Sequence, residues 1–270
     1  SSAPHTTGLA PRPQNQAQIG LSENLLIGLV AKHLYDGGVM SLARLALRIA
    51  LAGFILEDIL HFMRRQALVE IKGPSDEASG SRYSLTDRGR AFAREELAKS
   101  GYIGPAPVPI EQYTQVVRAQ SVYQHRVTRV RMRHAFADVT LRESLLDQLG
   151  PALHSGRAIF VYGPAGTGKT YVGRRLARLL GDDVLVPHAI AIGESIIQVF
   201  DPLIHKPVAG AESGMSLLLT QGHDPRFVLC RRPAVMTGGE LTLDMLEVSY
   251  EPATRQYQAP LQLKANNGIY

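Results

Sequence analysis

Eight consecutive residues, Gly163-Pro164-Ala165-Gly166-Thr167-Gly168-Lys169-Thr170, dictate much of the architecture around them. They complete the pattern G-x-x-x-x-G-K-[ST], in which each position has a physical task. The glycines let the chain curl tightly, so that successive backbone N–H groups point inward at one anion. The lysine sets a cation beside β- and γ-phosphate oxygens, and the threonine offers its hydroxyl to a nucleotide-bound Mg²⁺. Ala158–Tyr162 ahead of the run is apolar and reads as a strand. Tyr171 to Leu180 behind it reads as a helix with Val172, Leu176, Leu179 and Leu180 turned inward, its positive end aimed at the anion, and Gly181 stops it. Strand, glycine loop and helix together make an α/β unit that binds a nucleotide. The expected binding residues are Gly163, Pro164, Ala165, Gly166, Thr167, Gly168, Lys169, Thr170 and Tyr171. Among them Lys169 and Thr170 carry the catalytic roles, with ATP or ADP and Mg²⁺ as cofactors.

The rest of the 270 residues has room for a second unit, since about 100–200 residues make one domain. The single cysteine, Cys230, excludes an internal disulfide framework and any cysteine-based zinc site. No apolar run approaches the roughly 20 residues of a membrane span, and the first residues lack the charged-then-apolar order of a signal peptide. The expectation is a cytoplasmic protein with no membrane partner, whose residues 1–20 form a disordered tail.

Residues 21–104 read as a small helical domain ending in a hairpin. Ser22 caps a helix carrying Leu25, Leu26, Leu29, Val30 and Leu34 at the 3.6 period, and Asp36-Gly37-Gly38 stops it. A second helix runs from Ser41 towards Ala50, and a third after Gly53 buries Ile55, Leu56, Ile59, Leu60 and Met63. Strands over 68–72 and 82–85 flank a tip over 73–81, and Thr86 caps a last helix reaching about Lys99. This order, with the stretch YSLTDRGRAFARE at its strand-to-helix junction, resembles a winged-helix domain. A proline-rich linker with a following helix occupies 105–118, and the nucleotide-binding unit takes 119–270. Within that unit Thr140 and Glu143 match a capping box, and Pro151 is expected to end the helix they open. Val184–Pro187 reads as a strand, and residues 189–200 as a hairpin insertion turning at Gly193-Glu194. Further turns and short strands, FVLCRR (227–232) among them, fill 201–257.

The form GPAGTGKT, after a helix and the run GRAIFVY, resembles the bacterial type of AAA+ ATPase over about residues 140–181. That resemblance implies an ATPase that assembles as an oligomer and couples hydrolysis to remodelling or chaperoning a protein client. No later segment shows four apolar residues followed by two acids, the form of a Walker B strand, and GFILED (53–58) lies before the loop. Only 101 residues follow Lys169, and 266–270 read as the opening of a further strand. The expected fold class is therefore α/β: a winged-helix-like α+β domain followed by a partial AAA+-like P-loop domain. Such a chain is expected to bind nucleotide and hydrolyse it poorly, with Walker B, sensor and arginine-finger residues beyond residue 270.

Charge adds a second candidate site. The formal net charge of +5 resides in Arg118, Arg126, Arg129, Arg131 and Arg133, because no acid lies between Glu111 and Asp138. With Thr128 as a cap, Arg129 and Arg133 share a helix face; as a strand, Arg129, Arg131 and Arg133 share a sheet face. Three readings stay open for Arg126, Arg129, Arg131 and Arg133: a solvated or intersubunit face, phosphate contact, or a site for an anionic regulator. Arg129-x-x-x-Arg133 resembles the arginine half of PilZ-type cyclic dinucleotide sites, although the companion D/N-x-S-x-x-G element is absent. DNA is a less favoured partner. Residues 21–104 hold eleven basic and ten acidic side chains, and Glu57 and Asp58 occupy the first turns of the third helix. His188, His205 and His223 lack ligand spacing and read as structural, and Cys230 in FVLC reads as core.

Overall fold

The structure, a computed structural model, describes residues 8–73, 81–121, 128–137, 142–154, 164, 166–179, 183–208, 222–237 and 241–270. Its first helix, α1 (Gln16–Ile19), starts where the Asn15 side chain accepts the Gln18 N–H. Ser22 repeats the device for α2 (Glu23–Gly37), its hydroxyl accepting the Leu25 N–H at 3.1 Å. Gly38, at φ 71°, ends that helix. β1 (Met40–Ser41) leads into α3 (Leu42–Ile49), capped by Ser41, and then into α4 (Gly53–Arg65). The five apolar residues expected along α4 are all buried. β2 (Val69–Lys72) and β3 (Arg82–Leu85) pair antiparallel, and β1 takes the other edge of β3. Thr86 caps α5 (Asp87–Lys99), which returns across α2.

A second, mixed sheet follows. β4 (Val108–Pro109) runs into α6 (Ile110–Ala119) and lies parallel to β6 (Ala189–Ile192). β6 turns into β7 (Ser195–Gln198) through Gly193-Glu194, as its sequence predicts. Gly193 has φ 57°, so only the first central residue needs a positive φ, which is the sign pattern of a II′ turn. β9 (Ser249–Glu251) and β10 (Gln256–Gln258) complete the order β4-β6-β7-β10-β9, with β10 parallel to β7. β5 (Asp183–Pro187) and β8 (Phe227–Arg231) form a separate antiparallel pair. Three helices, α7 (Arg129–Ala135), α8 (Glu143–His154) and α9 (Lys169–Leu179), and a short α10 (Leu261–Lys264), finish the mixed α/β fold. No helix among the described residues is long and apolar enough to cross a membrane.

Several expectations are corrected. Residues 8–20 are not a disordered tail: Ala10 and Ile19 are buried, the Asp224 N–H reaches the Ala10 carbonyl, and the Gln112 amide reaches the Gln18 carbonyl. Their apolar content is sparse, but polar partners far along the chain hold them. Residues 105–118 are no loose linker. Ala106 is fully buried, its N–H meets the Ile49 carbonyl at 2.7 Å, and the Tyr102 hydroxyl donates to the Pro105 carbonyl. The hairpin is the centre of the mixed sheet rather than an insertion, and its Ala189, Ala191 and Ile196 pack into the same core as α2 and α4. Pro151 does not end α8, which continues to His154. Pro151 has no N–H to offer the Asp147 carbonyl and its ring crowds that carbonyl, a cost of about 3 kcal/mol that the packing of α8 has to offset. Residues 1–7, the tip over 74–80, Thr140 of the capping box, Leu180 and the strand expected over 158–162 lie outside the described residues.

Candidate functional site

The glycine loop runs straight into the first turn of α9. Gly166 and Gly168 hold φ values of 81° and 82°, a region that L side chains adopt at a cost, so the curl depends on glycine at both positions. Between them the Thr167 hydroxyl donates to the Pro164 carbonyl at 2.8 Å. The Lys169 ammonium donates to the same carbonyl at 2.7 Å. Two side chains therefore bend back over the loop's own backbone and hold it closed around the start of α9. The Val172 N–H closes the first helical bond onto the Gly168 carbonyl. Pro164, Gly166, Thr167 and Gly168 are exposed, and Lys169 is half-buried. The exposed N–H groups of a first turn, the helix dipole and one lysine all favour an anion at this place. Gly163 and Ala165 lie outside the described residues; Thr170 occupies the first turn of α9.

α9 is held from behind. Val172, Leu176 and Leu179, the inward positions of its period, pack with Met132 and Phe136 beside α7 and with Leu149 of α8. Arg175 adds a polar brace. Its guanidinium lies 4.9 Å from the centre of the Tyr171 ring, bonds the Tyr171 hydroxyl, and donates to the Ala135 carbonyl at 3.1 Å. The spacing Tyr171-x-x-x-Arg175 places both on one helix face, a signal present in the sequence and missed in reading it.

A buried polar framework ties the end of α6 to the next strand, β5. The Gln120 side-chain amide pairs with Leu185 of β5 at 2.9 Å in both directions, as a neighbouring strand would. Arg232 donates to the carbonyls of Gln120 and Asn267. Just beyond, Ala234 and Ile269 form an isolated parallel bridge; the strand opening expected over 266–270 is otherwise turn and bend, with Asn267 at φ 61°. Ile269 packs against the α7–α9 cluster, and the Met236 methyl lies 3.8 Å from where a Cβ on Gly173 would stand.

The arginine segment takes its helical alternative, with the Thr128 hydroxyl accepting the Arg131 N–H. Arg129 and Arg133 face α8 together. Arg129 bonds Asp147 at 2.7 Å and Arg133 bonds Glu143 at 3.0 Å. Arg131 turns the other way and donates to the Leu179 carbonyl at the end of α9. These contacts give all three guanidinium groups a role in packing three helices, which is how a solvated structural face behaves. Arg126 lies outside the described residues. Glu143 and Asp147 are an i, i+4 acidic pair that complements Arg129 and Arg133, and sequence reading passed over that match.

The histidines are tied into the fold. His188 lies tilted against the Phe200 ring, and burial pushes it down to about 4. His205 accepts the Asp201 N–H at Nδ1 and donates from Nε2 to the Lys264 carbonyl. Burial, reinforced by Asp183, pushes the Cys230 thiol up to about 12, which suits a core residue. Among the described residues no three His, Cys, Asp or Glu side chains converge as a metal site. No known protein family has a sequence profile that matches this chain, and no curated protein is similar to it.

Proposed function

We propose that the chain binds ATP or ADP, with Mg²⁺ held through the nucleotide, in the loop 163–170 at the start of α9. The observation that carries this reading is the convergence of Lys169 and Thr167 on the Pro164 carbonyl beneath two positive-φ glycines. Lys169 would exchange that internal acceptor for β- and γ-phosphate oxygens, and the Thr170 hydroxyl would take a place on Mg²⁺. Gly166 and Gly168 keep the backbone open enough for N–H groups to reach the phosphates. Tyr171 would stand beside the nucleotide, oriented by Arg175.

The larger reading follows from the AAA+ resemblance. The N-terminal unit, winged-helix-like in element order, serves as a protein-docking or regulatory part, and nucleotide turnover remodels or chaperones a client within a homo-oligomer. Glu57 and Asp58, both exposed on the first turns of α4, favour a protein over DNA as the partner. The ion pairs of Arg129 and Arg133 favour helix packing over an anionic regulator at α7.

Calorimetric titration with Mg-ADP tests the binding step. Lys169→Ala is expected to weaken affinity about 10–100-fold, the loss of one charge-assisted interaction. Its urea midpoint should stay within about 0.5 kcal/mol of the parent's, as for a surface change. Unchanged affinity would overturn the proposal.

A further inference from the structure

A cavity of about 690 Å³ lies far along the chain from the glycine loop, at the seam between the N-terminal unit and the mixed sheet. α2 and α5 supply one wall; the β6–β7 turn and Tyr257 of β10 supply the other. Its size is that of a small-molecule site. In its lining stands Lys32, a lysine of α2 that is only 3% exposed.

A lysine so buried normally has a carboxylate in contact. Lys32 has none among the described residues. It donates a single hydrogen bond there, to the Ser100 carbonyl at 3.1 Å. Glu96, which attracts it through space, is held by Lys99 at 2.7 Å. Ser100 lines the same cavity, so the amine end of the Lys32 side chain stands at the cavity wall. The other titratable groups of the lining are Glu96 and Lys99 on α5, Glu194 on the hairpin turn and Tyr257 on β10. Burial outweighs Glu96 and pushes Lys32 down to about 8. At pH 7 about one molecule in ten then holds a neutral amine at this position, against roughly one in a few thousand for a lysine in water. A neutral amine suits the place. One N–H meets the Ser100 carbonyl, and the nitrogen keeps a lone pair that makes it a nucleophile.

We propose that Lys32 is a covalent site for a small aldehyde, which enters the cavity and forms an imine at Nζ. The lone pair attacks the carbonyl carbon, the π pair moves to oxygen, and one nitrogen proton follows it. The resulting carbinolamine loses its hydroxyl as water and becomes the imine. Aldehyde and amine thus give imine and water, with no oxidant or reductant. The carbinolamine and the protonated imine each keep an N–H for the Ser100 carbonyl. Leu29, Phe92 and Ile196 offer apolar surface to the substituent of the aldehyde. Carbon dioxide also adds to amines, but it would leave a carbamate anion in a lining that already holds Glu96 and Glu194.

Benzaldehyde with cyanoborohydride, which reduces an imine to a stable secondary amine, tests this on the full chain at pH 7. Peptide mass mapping then locates the adducts, with Lys72, Lys99, Lys169, Lys206 and Lys264 as internal controls. Lys32 is expected to react roughly tenfold or more faster than any of them, by virtue of its larger neutral fraction. A lysine buried without access would instead be the slowest of the six. In urea sufficient to unfold the chain the advantage should vanish. Lys32→Met, which keeps the side-chain volume, should lose the fast adduct and keep the others. Lys169→Ala should leave the Lys32 adduct unchanged, which separates this site from the nucleotide site. Reaction of Lys32 no faster than the other lysines, or an advantage that survives unfolding, would overturn the proposal.

Discussion

Arg226 shows how one residue can hold distant parts of a chain. Its side chain is 1% exposed and grips Asp224 through Nε and Nη2. The remaining donors reach the carbonyls of Ile19 and Pro107 and the Gln112 side chain, so the start of the chain, the segment before α6, and α6 itself meet on one guanidinium. A buried charge is tolerated only when its countercharge and acceptors are all present. Arg226→Met removes the cation and leaves the Asp224 carboxylate buried beside two carbonyls that lose their donor. The expected cost is about 3–5 kcal/mol in urea unfolding, large for one substitution. A loss under about 1 kcal/mol would mean that water replaces the guanidinium without strain. Gln120 acts on the same principle where it stands in for a strand beside Leu185. Neither residue stands out in the sequence: Asp224 lies only two positions from Arg226, but nothing local marks the other partners, which lie about sixty to two hundred positions away.

At the scale of elements the sequence was far more legible, and the reason is that caps and periods are local. Ser22, Ser41, Thr86 and Thr128 each start a helix at the residue where a hydroxyl precedes an apolar period. Thr86 does this with a second contact: its oxygen accepts the Gly89 N–H at 3.0 Å while its hydrogen reaches the Ala67 carbonyl at 2.7 Å. It thus joins the start of α5 to the turn before β2. Thr86→Ala is expected to cost about 1–2 kcal/mol, the range for a lost cap, and Thr86→Ser should recover most of it. Equal midpoints for the alanine variant and the parent in thermal unfolding would deny the cap its role. The hairpin at Gly193-Glu194 was readable for the same reason, since a two-residue turn fixes its own register. Its neighbours were not. β4 and β10 lie parallel to the hairpin strands and reach them from 80 residues before and 60 after, so no turn chemistry encodes the match. At the candidate site the glycine loop, its lysine and the inward face of α9 were legible, whereas Arg175 and the acidic partners on α8 needed the packing of three helices.

For the molecule as a whole, the division expected at residue 104 gives way to a shared core. Ile19, fully buried, packs with α2 and α4, and so do Tyr102, near the end of the first unit, and Ala106 from the segment read as a linker. Ala189, Ala191 and Ile196 of the hairpin join them from the other sheet. The backbone closes the same seam, with the Gly101 N–H on the Arg255 carbonyl and the His33 ring on the Gly104 carbonyl. Composition misled here because alternating prolines describe an extended chain equally well whether it is loose or packed. A piece comprising residues 21–104 would lose Ile19 alone at about 1.5–3 kcal/mol and would expose the apolar patch that the hairpin covers. Most small domains are stable by only about 5–15 kcal/mol, so such losses consume much of the margin. Residues 21–104 made alone are therefore expected to unfold at a clearly lower urea midpoint than the same residues within the full chain, followed by hydrogen exchange at the α2 and α4 amides. Limited proteolysis of the full chain should spare 101–109 for the same reason, because a protease needs an extended segment free of its hydrogen bonds. Early cleavage between Gly101 and Pro109, together with an isolated piece as stable as the parent, would restore the two-domain view.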